Sequence, residues 1–151
     1  MSGMSMKGTL EQAMQDAMRS GDDLRKRTLR LALASIKNAE IEKRGDLEEN
    51  EILAILMKEV KTRHESIADA KRAGRDSHVA INEEEIRVLN EYLPEALSPE
   101  ELEELAREAI AETGATAPGD MGKVMKVLMP RVQGRADGKQ VSQIVRQVLS
   151  A

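Results

Sequence analysis

An all-α fold is predicted for this 151-residue chain by three observations. Apolar residues recur at offsets of three and four along most of its length, the spacing that lines one face of a helix. The apolar set is Leu, Ile, Val, Ala and nine Met, with one Tyr and neither Phe nor Trp, a helix-former's palette. Few windows carry the alternating β-branched pattern of strands. The length suits one domain or two small ones sharing a junction. The organisation predicted is an N-terminal bundle of about four helices, residues 1–93, followed by a small C-terminal three-helix subdomain, residues 98–151.

Residues 1–7 (MSGMSMK) are expected to be disordered, being small and polar with no partner face. Thr9 followed by Gln12 reads as a capping box. It opens a helix that buries Leu10, Met14, Ala17 and Met18. Gly21 closes it, and Asp22 or Asp23 caps the next. The second helix, about 24–44, carries Leu24, Thr28, Leu31, Ala32, Ser35, Ile36 and Ala39 on one arc, widened by Leu29 and Leu33. So broad an arc calls for neighbours on two sides, which makes this helix central. Lys26, Arg30, Lys37 and Arg44 fall in one narrow sector of its remaining face, either a solvated surface or a phosphate-facing ridge. Gly45 is expected to end it.

A third helix, about 48–73, turns Ile52, Leu53, Leu56, Met57, Val60, Ile67 and Ala70 inward, with His64 at the border of the stripe. Gly74-Arg75-Asp76 makes a turn, and Asp76 is a candidate cap for a fourth helix reaching Tyr92. The apolar residues of that helix lie on two sides, Val79, Ile86 and Leu89 against Ile81, Val88 and Tyr92. The stretch Leu93-Pro94-Glu95-Ala96-Leu97-Ser98-Pro99-Glu100-Glu101 is the clearest punctuation in the chain. Pro94 stops one helix. Ser98 as N-cap, Pro99 at the first helical position and Glu101 two residues on make a complete start for the next. The fifth helix, 99–113, faces inward with Leu102, Leu105, Ala106, Ala109 and Ile110, and Gly114 ends it.

The tail, 120–149, reads as two amphipathic helices around a Gly-punctuated turn. Met121, Val124, Met125, Leu128 and Met129 share one face; Val141, Ile144, Val145, Val148 and Leu149 share another. The opposite faces are basic. Lys123 and Lys126 lie across from the first stripe, and Lys139 and Arg146, seven apart, share a side of the second helix. Asp120 is a candidate N-cap, Pro130 disturbs the sixth helix, Gly134 ends it with φ > 0, and Asp137 caps the seventh. Lys123 near the positive end of a helix is mildly unfavourable, by about 0.3–1 kcal/mol.

Charge is segregated within a net −4. Residues 1–82 hold 15 basic and 14 acidic groups, residues 83–118 hold 2 and 11, and Gly119 to Ala151 hold 6 and 2. A uniformly basic nucleic-acid binder is excluded, but a local basic face is not. With no cysteine there is no disulfide, thiol nucleophile or Cys-based zinc site. The two histidines, His64 and His78, stand fourteen apart, so no helical metal pair exists. No cofactor, metal or catalytic residue is expected. Gly-rich phosphate loops and nucleophile elbows are missing. The acidic runs Glu83-Glu84-Glu85, Glu100-Glu101 and Glu103-Glu104 read as solvated rather than as acid–base pairs. An autonomous enzyme is not expected. No 18-residue apolar run or signal sequence is present, so a cytoplasmic protein without membrane association is expected.

The whole chain from about Met6 resembles the YqeY family. The stretch Asp120-Met121-Gly122-Lys123-Val124-Met125, with Gly134-Arg135-Ala136-Asp137-Gly138 and Val141, is similar to the end of the GatB tail. GatB is the B subunit of the amidotransferase that amidates misacylated Glu-tRNA(Gln) or Asp-tRNA(Asn). The resemblance implies a two-part helical fold and a tRNA contact at the tail. It implies a link to glutamine-dependent carbon–nitrogen ligases but not their chemistry, because this chain has no room for the catalytic domain. The RNA-binding residues expected are Lys123, Lys126, Arg135, Lys139 and Arg146, with Lys26, Arg30, Lys37 and Arg44 as a second basic face. Gly122, Gly134 and Asp137 are the structural residues of the motif. The partners expected are tRNA, an amidotransferase or an aminoacyl-tRNA synthetase. The alternatives are a protein-interaction scaffold, or an accessory part of an amidotransferase without catalytic residues of its own. With almost no aromatics there is no base-stacking platform, so any RNA contact must be to backbone and shape.

Overall fold

The structure, a computed structural model, describes residues 4–151. Among these it holds seven α-helices, one 3-10 turn and no strand, so the all-α class read from the sequence holds. The helices are α1 Met6–Ser20, α2 Asp23–Lys43, α3 Glu49–Arg72, α4 Asp76–Asn90, α5 Pro99–Thr113, α6 Met121–Val132 and α7 Gly138–Ser150; the 3-10 turn is Pro118–Asp120. Two compact units form, one ending at Leu93 and one beginning at Pro94.

In the first unit α1 packs on α2 and α3 on α4, while α2 also lies against α3 and α4. That three-sided packing is the physical reason for the broad apolar arc of α2. The core is Leu10, Leu29, Ala32, Ile36, Ile52, Leu56, Val88 and Leu89. Leu31 and Met18, expected inward, stay 49% and 55% exposed. The buried arc of α2 is set by Thr28, Leu29, Ala32 and Ile36. It is centred more than a quarter-turn from Leu31 at 100° per residue.

The disorder expected for residues 1–7 is corrected at its C-terminal end; residues 1–3 lie outside the described part. Ser5 is the N-cap of α1, its Oγ accepting the Gly8 N–H at 3.1 Å. Lys7 Nζ donates to Glu40 Oε1 at 2.9 Å, which fastens this first turn to α2. Thr9, read as the cap, sits inside the helix with its hydroxyl donating to the Ser5 carbonyl. Two other boundaries shift by one residue. Arg44, not Gly45, takes the left-handed conformation that ends α2 (φ 61), while the Gly45 N–H donates to the Glu40 carbonyl. A side chain in that conformation costs about 1 kcal/mol. Asp76 is the first residue of α4 and not its cap, a place where its charge still suits the positive helix end.

The α3–α4 contact contains an ionic network the sequence did not announce. Arg63 is buried. Its Nε donates to Glu85 Oε2 at 3.1 Å and its Nη1 to Glu59 Oε2 at 3.2 Å. Glu59 Oε1 in turn accepts the Ser35 hydroxyl of α2 at 3.1 Å. One network thus joins three helices. Glu85, read as one of three solvated carboxylates, is buried.

In the second unit α5, α6 and α7 pack pairwise around Leu102, Ala106, Ala109, Val124, Leu128, Val132, Val141, Val145 and Leu149. The start of α5 is as read: Ser98 Oγ accepts the Glu101 N–H and Glu101 Oε1 accepts the Ser98 N–H, both at 3.1 Å, with Pro99 in the first turn. Gly114 ends it at φ 70. Pro130 lies within α6, which stops two residues later, and Gly134 turns the chain at φ 77. Leu97 is held in this core because its N–H donates to the Arg135 carbonyl at 2.9 Å.

Candidate nucleic-acid interface

The second unit is a charge dipole built from its helix order. Between Pro94 and Ala151 stand nine acidic and seven basic residues. Six of the acids are on α5 and six of the bases follow Gly119. Burial of Leu102, Ala106 and Ala109 fixes the rotation of α5 and leaves Glu100, Glu101, Glu103, Glu104, Glu108 and Glu112 exposed. Burial of Val124, Leu128 and Val132 does the same for α6, so Lys123 and Lys126 point to solvent. Burial of Val141, Val145 and Leu149 sets Lys139 and Arg146 on one exposed side of α7.

These four cations differ from the other bases of the unit in what they touch. Arg131 Nη2 pairs with Glu112 Oε2 at 2.6 Å, and that hydrogen bond holds its guanidinium above its usual range. Arg107 pairs with Glu103 at 2.9 Å. Arg135, half-buried, donates from Nε to the Glu95 carbonyl at 3.0 Å. Lys123 stands 71% exposed and only at the edge of reach of Asp120, 4.0 Å away. No acidic group among the described residues lies within ion-pair distance of Lys126, Lys139 or Arg146. Two of the four, Lys123 and Lys139, sit in the first turn of a helix, where a cation is not favoured by the backbone dipole.

The motif glycines separate into two kinds. Gly134 is buried and left-handed, so the turn needs it. Gly122 is exposed in the first turn of α6, and a Cβ built on it meets nothing within 4 Å. Packing therefore gives no reason for glycine there, although glycine in a helix costs up to about 1 kcal/mol against alanine. Asp120 does not cap α6 with its side chain. Its Oδ2 accepts the Thr116 and Ala117 N–H groups at 3.0 and 3.3 Å, and those bonds hold its carboxyl below the usual range. Asp137 stands at the N-cap of α7, its carbonyl accepting the Val141 N–H at 3.0 Å.

On the first unit Arg30 and Lys37 are exposed along α2 and Arg44 is exposed just past its end, whereas Lys26 lies 3.7 Å from Asp23. His64, expected at a packing edge, is exposed, as is His78. Among the described residues no group of three His, Cys, Asp or Glu is placed to hold a metal, and no helix is long and apolar enough to cross a membrane. Sequence reasoning missed the Arg63 network. The available signal was position: Arg63 falls in register with Ile52, Leu56 and Ala70 on the inward stripe, where an unpaired cation would be costly.

A two-part helical fold with a basic, motif-bearing C-terminal helix pair is the class these features define. The family described as "Yqey-like protein" matches residues 7–149, and the chain belongs to it. The chain is 38% identical over 103 residues to "Altered inheritance of mitochondria protein 41, mitochondrial" of Eremothecium gossypii, covering 68% of this chain and 56% of that one. It is 36% identical over 85 residues to the Lachancea thermotolerans protein of the same name, covering 56% and 46%. Against the Pyrenophora tritici-repentis protein it is 27% identical over 145 residues, covering 94% and 80%. The chain spans about half the length of the first two of these curated relatives.

Proposed function

We propose that this member of the family is a tRNA-associated binding module that reads phosphate and shape through Lys123, Lys126, Lys139 and Arg146. The observation that carries this reading is the pattern of pairing. In a unit where Arg107, Arg131 and Arg135 each have an internal partner, three of these four cations have none among the described residues, and the fourth has only a long contact. Unpaired exposed cations release the counterions of a polyanion without first breaking ion pairs of their own. Gly122 supports the same reading, since a bare backbone beside Lys123 lets a phosphate approach the first turn of α6. Arg135 adds a fifth cation to this set, and its Nε also ties the α6–α7 turn to the Glu95 carbonyl.

The acidic α5 works against tight capture, so binding is of the micromolar order expected for backbone contact. A role beside a glutamine-dependent amidotransferase rests on the similarity of the tail motif to that of GatB, with the chemistry supplied by the partner. The division into subdomains 1–93 and 98–151 belongs to the same proposal. So does a cytoplasmic location, against relatives whose name makes them mitochondrial.

The test uses the chain's own weak absorbance, which comes from one Tyr and no Trp. Material absorbing near 260 nm should co-purify at low salt and leave at high salt, and it should be digestible by ribonuclease. A preparation free of such material at low salt, with no shift of added tRNA on a native gel, would refute the reading.

A further inference from the structure

The outer face of α2 carries an unfilled helix-packing seam. Leu31, Ala34, Asn38 and Ile41 follow one another at spacings of three, four and three, which is the a/d pattern of a helix that packs against another helix. All four are exposed, and Leu31 and Ile41 are two of the large hydrophobic residues left most open to solvent, at 49% and 65%. Arg30 and Lys37, each immediately preceding an a position, flank the seam on one side, and Arg44 follows them one heptad on. Over its whole length α2 holds six basic residues and three acidic ones, Asp23, Glu40 and Glu42, of which Glu40 is paired with Lys7 and Glu42 lies on the flank opposite Arg30 and Lys37. On the other flank α2 and α3 enclose a shallow cleft that continues the surface. It is lined by Ser35, Asn38 and Glu42 from α2 and by Ile55, Lys58 and Thr62 from α3.

An apolar seam and a cationic stripe thus run side by side on one helix face. A nucleic-acid backbone would use the cations and leave Leu31 and Ile41 in water. An amphipathic helix with apolar anchors and acidic flanks would use both, because knob positions bury against Leu31, Ala34 and Ile41 while carboxylates meet the cations. The polar Asn38 in the middle of the seam is the kind of residue that fixes register. A second copy of this face is a poor occupant in the antiparallel sense, since Arg30 and Lys37 would meet their own equivalents. Arg44 adds a further argument. It holds a left-handed conformation that glycine would take without strain, and Gly45 is the next residue. The chain keeps the cation at that position despite the strain.

We propose that the α2 face is a docking site for an acidic amphipathic helix of a partner protein, separate from the C-terminal RNA face and independent of whether that face binds RNA. The probe is a pair of labelled three-heptad peptides with Leu and Ile at the seam positions, one with Glu and one with Lys at the flanking positions. Each is titrated by fluorescence anisotropy against the full chain. The Glu peptide should bind and the Lys peptide should not. Arg30→Glu with Lys37→Glu should weaken the Glu peptide about tenfold, as two attractive pairs become repulsive, and should admit the Lys peptide. Leu31→Asp with Ile41→Asp should abolish binding of the Glu peptide, and Lys126→Glu with Arg146→Glu should leave it unchanged. All three pairs of residues are exposed, and circular dichroism checks that each variant stays folded. If the Leu31 and Ile41 pair unfolds the chain, the inversion of charge preference decides alone. Three results would each overturn the proposal. They are failure of the Glu peptide to bind, binding that survives loss of both apolar anchors, and its displacement by an RNA duplex to which the Arg30 and Lys37 variant no longer binds.

Discussion

Arg63 and Glu85 form a buried ion pair, Nε to Oε2 at 3.1 Å, with both side chains almost out of solvent. Glu59 shares the same guanidinium at 3.2 Å. Breaking one side of such a pair strands a charge, whereas replacing both with apolar groups removes the desolvation cost as well. Arg63→Met is therefore expected to destabilise the first unit by roughly 3 kcal/mol. Arg63→Met with Glu85→Leu should recover the part of that loss that comes from stranding Glu85, while Glu59 keeps only its bond from the Ser35 hydroxyl. Urea denaturation followed through Tyr92, the only aromatic residue, measures both. A double variant as unstable as the single one would contradict this account of the network.

Gly122 offers a test that separates folding from binding. An alanine there meets open space. Gly122→Ala should raise the stability of the second unit by up to about 1 kcal/mol, from helix propensity alone. If the bare backbone admits a phosphate, the same change should weaken tRNA binding. Stability and affinity moving in opposite directions is the expected signature, read by thermal denaturation and by gel shift.

The Arg135 side chain ties the Glu95 carbonyl, and its own carbonyl holds the Leu97 N–H. Arg135→Ala removes the first bond and keeps the second. A protease that cuts after glutamate should then cleave after Glu95 faster than in the parent chain, while cleavage after Glu91 is unchanged. Equal rates at Glu95 would show that the side chain does not restrain this segment.

Acid should act on the second unit through Glu101 and Asp120. Backbone N–H groups, of Ser98 for Glu101 and of Thr116 and Ala117 for Asp120, hold both carboxyls below their usual range. A group whose folded value is depressed adds stability above its unfolded value and loses it as pH falls through the folded one. Helicity of the second unit should therefore decline on acidification below the ordinary carboxylate range. Glu101→Gln with Asp120→Asn should flatten that decline. A parent chain and double variant with the same acid transition would contradict the assignment.

Much of the helix layout was legible because local chemistry fixes it. Ser98-Pro99 with Glu101, Gly114 and Gly134 act through adjacent backbone atoms, so the sequence alone places them. The boundaries that differ are those where two residues close in sequence can each fill the capping role. Ser5 rather than Thr9 begins α1, and Arg44 rather than Gly45 ends α2. Leu31 was misread because periodicity reports the width of an apolar arc and not which part of it a neighbour covers. Glu85 was misread for the complementary reason, since its partner Arg63 is twenty-two residues away and only tertiary packing brings them together. For the candidate interface, wheel positions predicted the exposure of Lys123, Lys126, Lys139 and Arg146. The internal use of Arg135 depended on a loop conformation that no spacing encodes.

The most direct measurement of the central claim is tRNA affinity as a function of salt. Labelled tRNA is titrated with the full chain by fluorescence anisotropy at several salt concentrations. Four phosphate contacts at Lys123, Lys126, Lys139 and Arg146 give a slope of log K against log [salt] of roughly −3, taking about 0.7–0.9 per contact. Lys126→Glu with Arg146→Glu should weaken binding and bring the slope to roughly half that value. Helicity should not change, since both residues lie away from the core. Absence of binding at low salt, or equal affinity and slope in the double variant, would contradict the claim that this face binds RNA.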